Sequence, residues 1–136
     1  VHLNPNVQKP VHEILSGLGN VNLIDPLDYL PFIYLMQKSY LILTDSGGVQ
    51  EEAPSLNKPI LVMRDTTERP EALSAGAVKL VGTNKNRIID EVEDLLTNNH
   101  SYSKMANVAN PYGSGNTAEL ILKHLINKTG IGINEK

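Results

Sequence analysis

Hydrophobic periodicity changes repeatedly along this chain, from short unbroken apolar runs to spacings of three and four residues. The runs are strand-sized: Tyr40-Leu41-Ile42-Leu43-Thr44, Pro59 to Met63 and Ala77 to Val81. Apolar character that is continuous rather than alternating marks strands covered on both faces, as in parallel sheets flanked by helices. Val21, Leu23 and Ile24 read as a further short strand, and Val1-His2-Leu3 as the last residues of another. Helical spacing recurs in Val7, Val11, Ile14, Leu15 and Leu18, which predicts a helix ending at Gly17 or Gly19. It recurs after Asp28, a cap with Pro31 tolerated in the first turn, through Leu30, Ile33, Tyr34 and Met36. Short helices are predicted from Val49 to Leu56, despite Pro54, and from Pro70 to about Gly76. After Asn84 or Asn86 the clearest helix places Ile88, Ile89, Val92, Leu95 and Leu96 on one face. Tyr102 to Val108 and a last segment through Ala118, Leu120, Ile121, Leu122, Leu125 and Ile126 complete the pattern. Four or five strands alternating with helices over short loops predict a doubly wound α/β domain with a parallel sheet.

Composition narrows the function classes. The chain has 136 residues, 40% of them hydrophobic and 20% charged, with a net charge of −3. That balance excludes a disordered chain and an electrostatic grip on nucleic acid. No apolar run reaches the roughly 20 residues of a membrane span. There is no cysteine, which removes disulfides, thiolate metal sites and cysteine nucleophiles together. His2, His12, His100 and His124 lack metal-ligand spacing, so no metal and no cofactor is expected. No signal peptide is visible, and a cytoplasmic, soluble domain is the expectation. The start on Val1 rather than Met suggests part of a larger protein, and the residues after Gly130 read as a frayed tail.

In doubly wound folds, ligands collect beyond the carboxyl ends of the strands. Three loops qualify: Asp25 to Asp28, Asp45 to Gly48, and Arg64 to Arg69. Ser46-Gly47-Gly48 is the best candidate, because three successive N–H groups beside a helix start can converge on an anion. The glycines permit close approach and unusual φ, and a diphosphate suits such a pocket. The same residues also suit a plain helix cap and turn. Glu52 lies one helical turn beyond Gly48, about 6 Å along the axis, where a carboxylate can grip vicinal ribose hydroxyls. Glu51 points about 100° away, toward solvent or a neighbouring domain. In Arg64-Asp65-Thr66-Thr67-Glu68-Arg69-Pro70-Glu71, the cations suit phosphate and the hydroxyls and acids suit a sugar. A salt-bridged loop, with Arg64 and Arg69 pairing to Asp65, Glu68 or Glu71, is the competing reading. Phe32 suits either the core or the edge of a nucleobase. His2 stands beside a strand end where ligands gather.

Leu43-Thr44-Asp45-Ser46-Gly47-Gly48-Val49-Gln50-Glu51-Glu52-Ala53-Pro54-Ser55-Leu56 and Val62-Met63-Arg64-Asp65-Thr66-Thr67-Glu68-Arg69-Pro70-Glu71 closely resemble the non-hydrolysing UDP-N-acetylglucosamine 2-epimerases of bacteria. Val1-His2-Leu3-Asn4-Pro5, Leu30-Pro31-Phe32 and Asn110-Pro111-Tyr112-Gly113 resemble further landmarks of that family, in order. The resemblance covers residues 1 to 127 and leaves 128–136 as a flexible tail. It implies a Rossmann-like sheet, the UDP-binding carboxyl-terminal half of a two-domain glycosyltransferase-B-type fold. Carried over, Ser46, Gly47 and Gly48 bind the diphosphate, Glu52 the ribose, and Phe32 borders the uracil. Arg69 faces the pyrophosphate and sugar from the interdomain cleft and stabilises charge. His2 resembles a position near the interface where some members bind a second, activating UDP-GlcNAc. Leu27 stands where some members carry a Gln near the nucleotide, so that contact is not expected here.

The family interconverts UDP-GlcNAc and UDP-ManNAc by eliminating UDP and adding it back, in the service of bacterial surface polysaccharide. The resemblance puts the general base and acid in an amino-terminal domain that these residues do not include. It also implies a homodimer for the full-length enzyme. The chain alone is therefore expected to fold and bind UDP weakly without epimerising. A UDP-sugar-dependent glycosyltransferase half, a hydrolysing epimerase and a non-catalytic sugar-nucleotide module are the alternatives.

Overall fold

The computed structural model describes residues 1–129, which divide into two compact units at Lys38/Ser39. The first unit, residues 1–38, holds α1 (Pro5–Leu15) and α2 (Tyr29–Lys38). The Asn4 side chain starts α1 by accepting from the Asn6 amide at 2.9 Å, with Pro5 at the position where a missing N–H costs nothing. The Asp28 carbonyl accepts the first bond of α2, from the Phe32 amide. Neither Val1 to Leu3 nor Val21 to Ile24 is a strand. A strand exists through its ladder, and no strand pairs with either segment among the described residues.

The second unit carries β1 (Ile42–Thr44), α3 (Gly47–Glu52) continued by a 3₁₀ turn (Ala53–Leu56), and β2 (Ile60–Val62). There follow α4 (Pro70–Ala75), β3 (Val78–Leu80), α5 (Lys85–Thr97), α6 (Asn99–Ala106) and α7 (Thr117–Thr129). The sheet is parallel, in the order β1-β2-β3, with Thr44, Val62 and Leu80 in register. The architecture is therefore the expected α/β fold, with three strands among the described residues rather than four or five. β1 starts two residues later than its apolar run: the ladder opens with the Ile42 amide donating to the Pro59 carbonyl, Pro59 has no N–H to offer the Tyr40 carbonyl, and that carbonyl accepts from the Tyr102 hydroxyl of α6 at 3.0 Å. Pro54 ends α3 and tightens the chain into the 3₁₀ turn, having no N–H for an α-helical bond. The described residues end with α7, so the expected tail lies outside them except for Lys128 and Thr129, which are the last residues of that helix.

The core sits on β2, where Ile60, Leu61 and Val62 are each 0% exposed. Leu61, Val81 and Leu95 form its centre, with Ile88 and Val92 of α5 packed against them. Ile88, Val92 and Leu95 share one stripe at spacings of four and three. Ile89 and Leu96, one residue further round, are exposed, so the buried face of α5 is narrower than the sequence implied. No described helix is long and apolar enough to cross a membrane, and the described residues hold no cluster of metal-ligating side chains. Leu61→Ala deletes a side chain with no exposed surface, and we expect a loss of about 2–5 kcal/mol in urea unfolding.

Candidate functional site

Parallel pairing brings the loops after β1 and β2 to the same edge of the sheet. A bond from the Met63 amide to the Thr44 carbonyl, 2.8 Å, keeps the two exits side by side. Of the three candidate loops, Asp45–Gly48 and Arg64–Arg69 meet there; the Asp25–Asp28 loop belongs to the first unit.

Ser46 is the cap of α3, its hydroxyl accepting from the Val49 amide at 3.5 Å. Gly47 and Gly48 are the first two residues of the helix rather than a preceding turn. Neither has a positive φ, so conformational freedom is not what they supply. Gly47 supplies room. A Cβ there would lie 3.3 Å from Cζ of Arg69 and 3.4 Å from its Nη1, a tight contact that the guanidinium would have to relieve by a small shift. The three amides also differ from the expected convergent set. The Ser46 amide donates to the Thr44 hydroxyl at 3.1 Å, whereas those of Gly47 and Gly48 lie in the first turn, which has no intrahelical acceptor.

Arg69 is held from two sides. Its Nε donates to Glu51 Oε1 at 2.7 Å and its Nη1 to Glu68 Oε2 at 2.9 Å. These contacts, the Glu51 hydrogen bond first, raise its pKa above the ordinary arginine value, and the charge is permanent. Glu51 is thus an ion-pair partner within the site, where the sequence suggested solvent or another domain. The pairing of Arg69 with Glu68 matches the salt-bridged reading of this loop. Arg64 and Glu71 form no ion pair among the described residues. Glu52 is half-buried, and its carboxylate makes neither a hydrogen bond nor an ion pair with any described residue. The two neighbouring acids therefore differ in state: Glu51 is engaged and Glu52 is available.

Sequence reasoning missed two residues here. Gln50 is fully buried, its Nε2 donating to the Ser46 carbonyl at 3.2 Å and its Oε1 accepting from the Thr67 hydroxyl at 2.6 Å. The signal was a polar side chain inside the buried stripe of Val49 and Ala53. Tyr112 is the other. Its hydroxyl is buried with no hydrogen-bond partner among the described residues, and burial together with the Glu71 charge raises its pKa. Asn110 fixes the turn that carries it, donating to the Ser55 hydroxyl at 2.8 Å and accepting from the Tyr112 amide at 3.0 Å.

On the other side of the loop, an added Cβ at Gly82, whose φ is +63°, would lie 2.6 Å from Asp65 Oδ1. The positive φ favours glycine there, and any other residue would also have to turn the exposed Asp65 carboxylate aside. In the first unit, Phe32 is half-buried on α2, and Leu27 is exposed. The exposed His2 accepts from the Asn4 amide through Nδ1 at 3.0 Å.

The family model described as UDP-N-acetylglucosamine 2-epimerase matches residues 1–126. The UDP-N-acetylglucosamine 2-epimerase of Yersinia pestis is 64% identical over 127 residues, covering 93% of this chain and 34% of the relative. That of Escherichia coli K12 is 61% identical over 127 residues, with the same coverage. The chain thus spans about a third of the length of the curated relatives it matches. Among solved structures, the Neisseria meningitidis UDP-GlcNAc 2-epimerase bound to UDP-GlcNAc superposes with a TM-score of 0.83 at 57% identity, covering 93% of this chain and 35% of that one. The S. aureus MnaA–UDP co-structure gives 0.88 at 42% identity, covering 99% and 37%. These neighbours have a glycosyltransferase-B-type fold, and their likeness covers nearly the whole chain. The chain belongs to the UDP-N-acetylglucosamine 2-epimerase family.

Proposed function

We propose that this chain is the UDP-binding part of an enzyme that interconverts UDP-GlcNAc and UDP-ManNAc, without hydrolysis, by elimination and re-addition of UDP. The observation that carries the reading is the Arg69 guanidinium lying over Gly47, at the start of α3 and the carboxyl edge of the sheet. Family membership and relatives solved with UDP-GlcNAc and with UDP support the ligand.

In this reading the Gly47 and Gly48 amides take oxygens of the diphosphate, with the Ser46 hydroxyl as a further donor. Arg69 adds a fixed positive charge where negative charge grows on departing UDP, which is where electrostatic stabilisation lowers a barrier. Glu52, the acid left unpaired, accepts from the two ribose hydroxyls. Phe32 borders the uracil, and His2 belongs to a second, activating UDP-GlcNAc site. Proton removal at the sugar's second carbon needs a general base, and no geometry at this edge assigns that role to Glu68 or Glu71. An amino-terminal domain of the same enzyme supplies base and acid, and the full-length enzyme is a cytoplasmic homodimer serving bacterial surface polysaccharide.

The full-length enzyme carrying this chain is expected to convert UDP-GlcNAc to UDP-ManNAc with solvent deuterium entering at the second carbon, while the 136-residue chain alone turns over nothing. Free N-acetylmannosamine with UDP in mass spectrometry would instead mark hydrolysis, and an acceptor requirement would mark a transferase. Arg69→Ala in the full-length enzyme is expected to lower kcat by roughly 10²–10³-fold in a coupled assay, the scale of losing one preorganised charge stabiliser. Glu52→Ala is expected to weaken UDP in calorimetry by roughly 10–100-fold, the scale of hydrogen bonds to a charged group, while leaving inorganic pyrophosphate binding unchanged.

A further inference from the structure

Gln50 has no exposed surface, and among the described residues it is the one buried side chain that ends in a carboxamide. Its two ends are chemically specified. The Thr67 hydroxyl oxygen accepts from the Arg69 amide at 3.1 Å, so the hydroxyl proton is left to donate to Gln50 Oε1. The Ser46 carbonyl needs a donor, and Gln50 Nε2 provides it. Arg69 returns to the residue beside Gln50 through its bond to Glu51. The result is a closed circuit: Ser46 carbonyl, Gln50 carboxamide, Thr67 hydroxyl, Arg69 backbone, Arg69 guanidinium, Glu51, and back to α3. Only a side chain with a donor and an acceptor on one planar head completes it. Glutamate lacks the donor, and leucine lacks both.

We propose that Gln50 is a positioning residue that locks the Ser46 cap and the Arg69 loop into a single anion clamp, acting through Thr67 without touching substrate. The proposal rests on the UDP-binding reading above. A buried carboxamide serves this purpose better than a surface ion pair. Without water to compete, its bonds are costly to leave unmade, so the two loops cannot drift apart independently.

The test uses the full-length protein and UDP titration calorimetry with Gln50→Leu, Thr67→Val, Thr67→Ser and the Gln50→Leu/Thr67→Val pair. Gln50→Leu and Thr67→Val are each expected to raise Kd about tenfold or more at unchanged stoichiometry. Thr67→Ser, which keeps the hydroxyl, is expected to stay within about twofold of the parent. The double variant is expected to be no weaker than the weaker single variant, because both break one circuit. A Kd unchanged in either single variant, or a fall in stoichiometry alone, would overturn the proposal, since lost packing removes competent molecules without altering the affinity of the rest.

A parent protein that failed to bind UDP would defeat the nucleotide reading instead. The clamp then stands or falls on the Arg69 Nε–H resonance at mildly acid pH. Protection from solvent exchange in the parent and in Thr67→Ser, lost in Gln50→Leu, supports the positioning role. The same protection persisting in Gln50→Leu ends it.

Discussion

Complete burial of β2 governs everything that follows it. With no exposed surface on Ile60, Leu61 or Val62, the backbone of this strand has no water to bond and must pair on both sides. Parallel partners answer that need, β1 on one side and β3 on the other. Parallel pairing then forces each connection to cross over outside the sheet, and α3 with its 3₁₀ turn makes the first crossing. One edge of the sheet therefore receives both the Ser46 turn and the polar loop leading to Arg69. The chemistry of the site is downstream of a packing constraint.

The location of the site was legible in the sequence because that constraint is written in composition. Unbroken apolar runs such as Ile60 to Met63 announce buried strands, and the polar residues directly after them can only be at an edge. The division of labour inside the site was less legible. Helical spacing put Glu51 and Glu52 on different faces, but it sent Glu51 to solvent or another domain and could not say that a cation waits for it, because Arg69 is 18 residues further on. The glycines are a similar case. Their presence was informative while the reason for it was not, since Gly47 answers to the bulk of a distant guanidinium rather than to its own φ. Local pattern finds local geometry; contacts between loops have no local signature.

The two strands expected before residue 25 fail for the same reason in reverse. Val21, Leu23 and Ile24 have the composition of a strand, but composition only permits a ladder, and a partner creates it. Gln50 is a different case, a polar residue on a short helix to which the sequence reading gave no role. Its position between Val49 and Ala53 was the available clue, and its meaning depended on Thr67, again far along the chain.

The charges around Arg69 are not equivalent, and the difference bears on how an anion could enter. The Glu68 side chain is 78% exposed, whereas that of Arg69 is 29% exposed. An ion pair with so exposed a partner is screened and contributes little, so it can open at small cost. Glu51 is less exposed, at 47%, and its bond is to Nε, at the stem end of the guanidinium. Releasing Glu68 therefore frees Nη1 while Glu51 still fixes the plane of the group. In the diphosphate reading proposed above, an anion over Gly47 would displace the exposed Glu68 carboxylate while the Glu51 bond at Nε keeps the orientation of the cation.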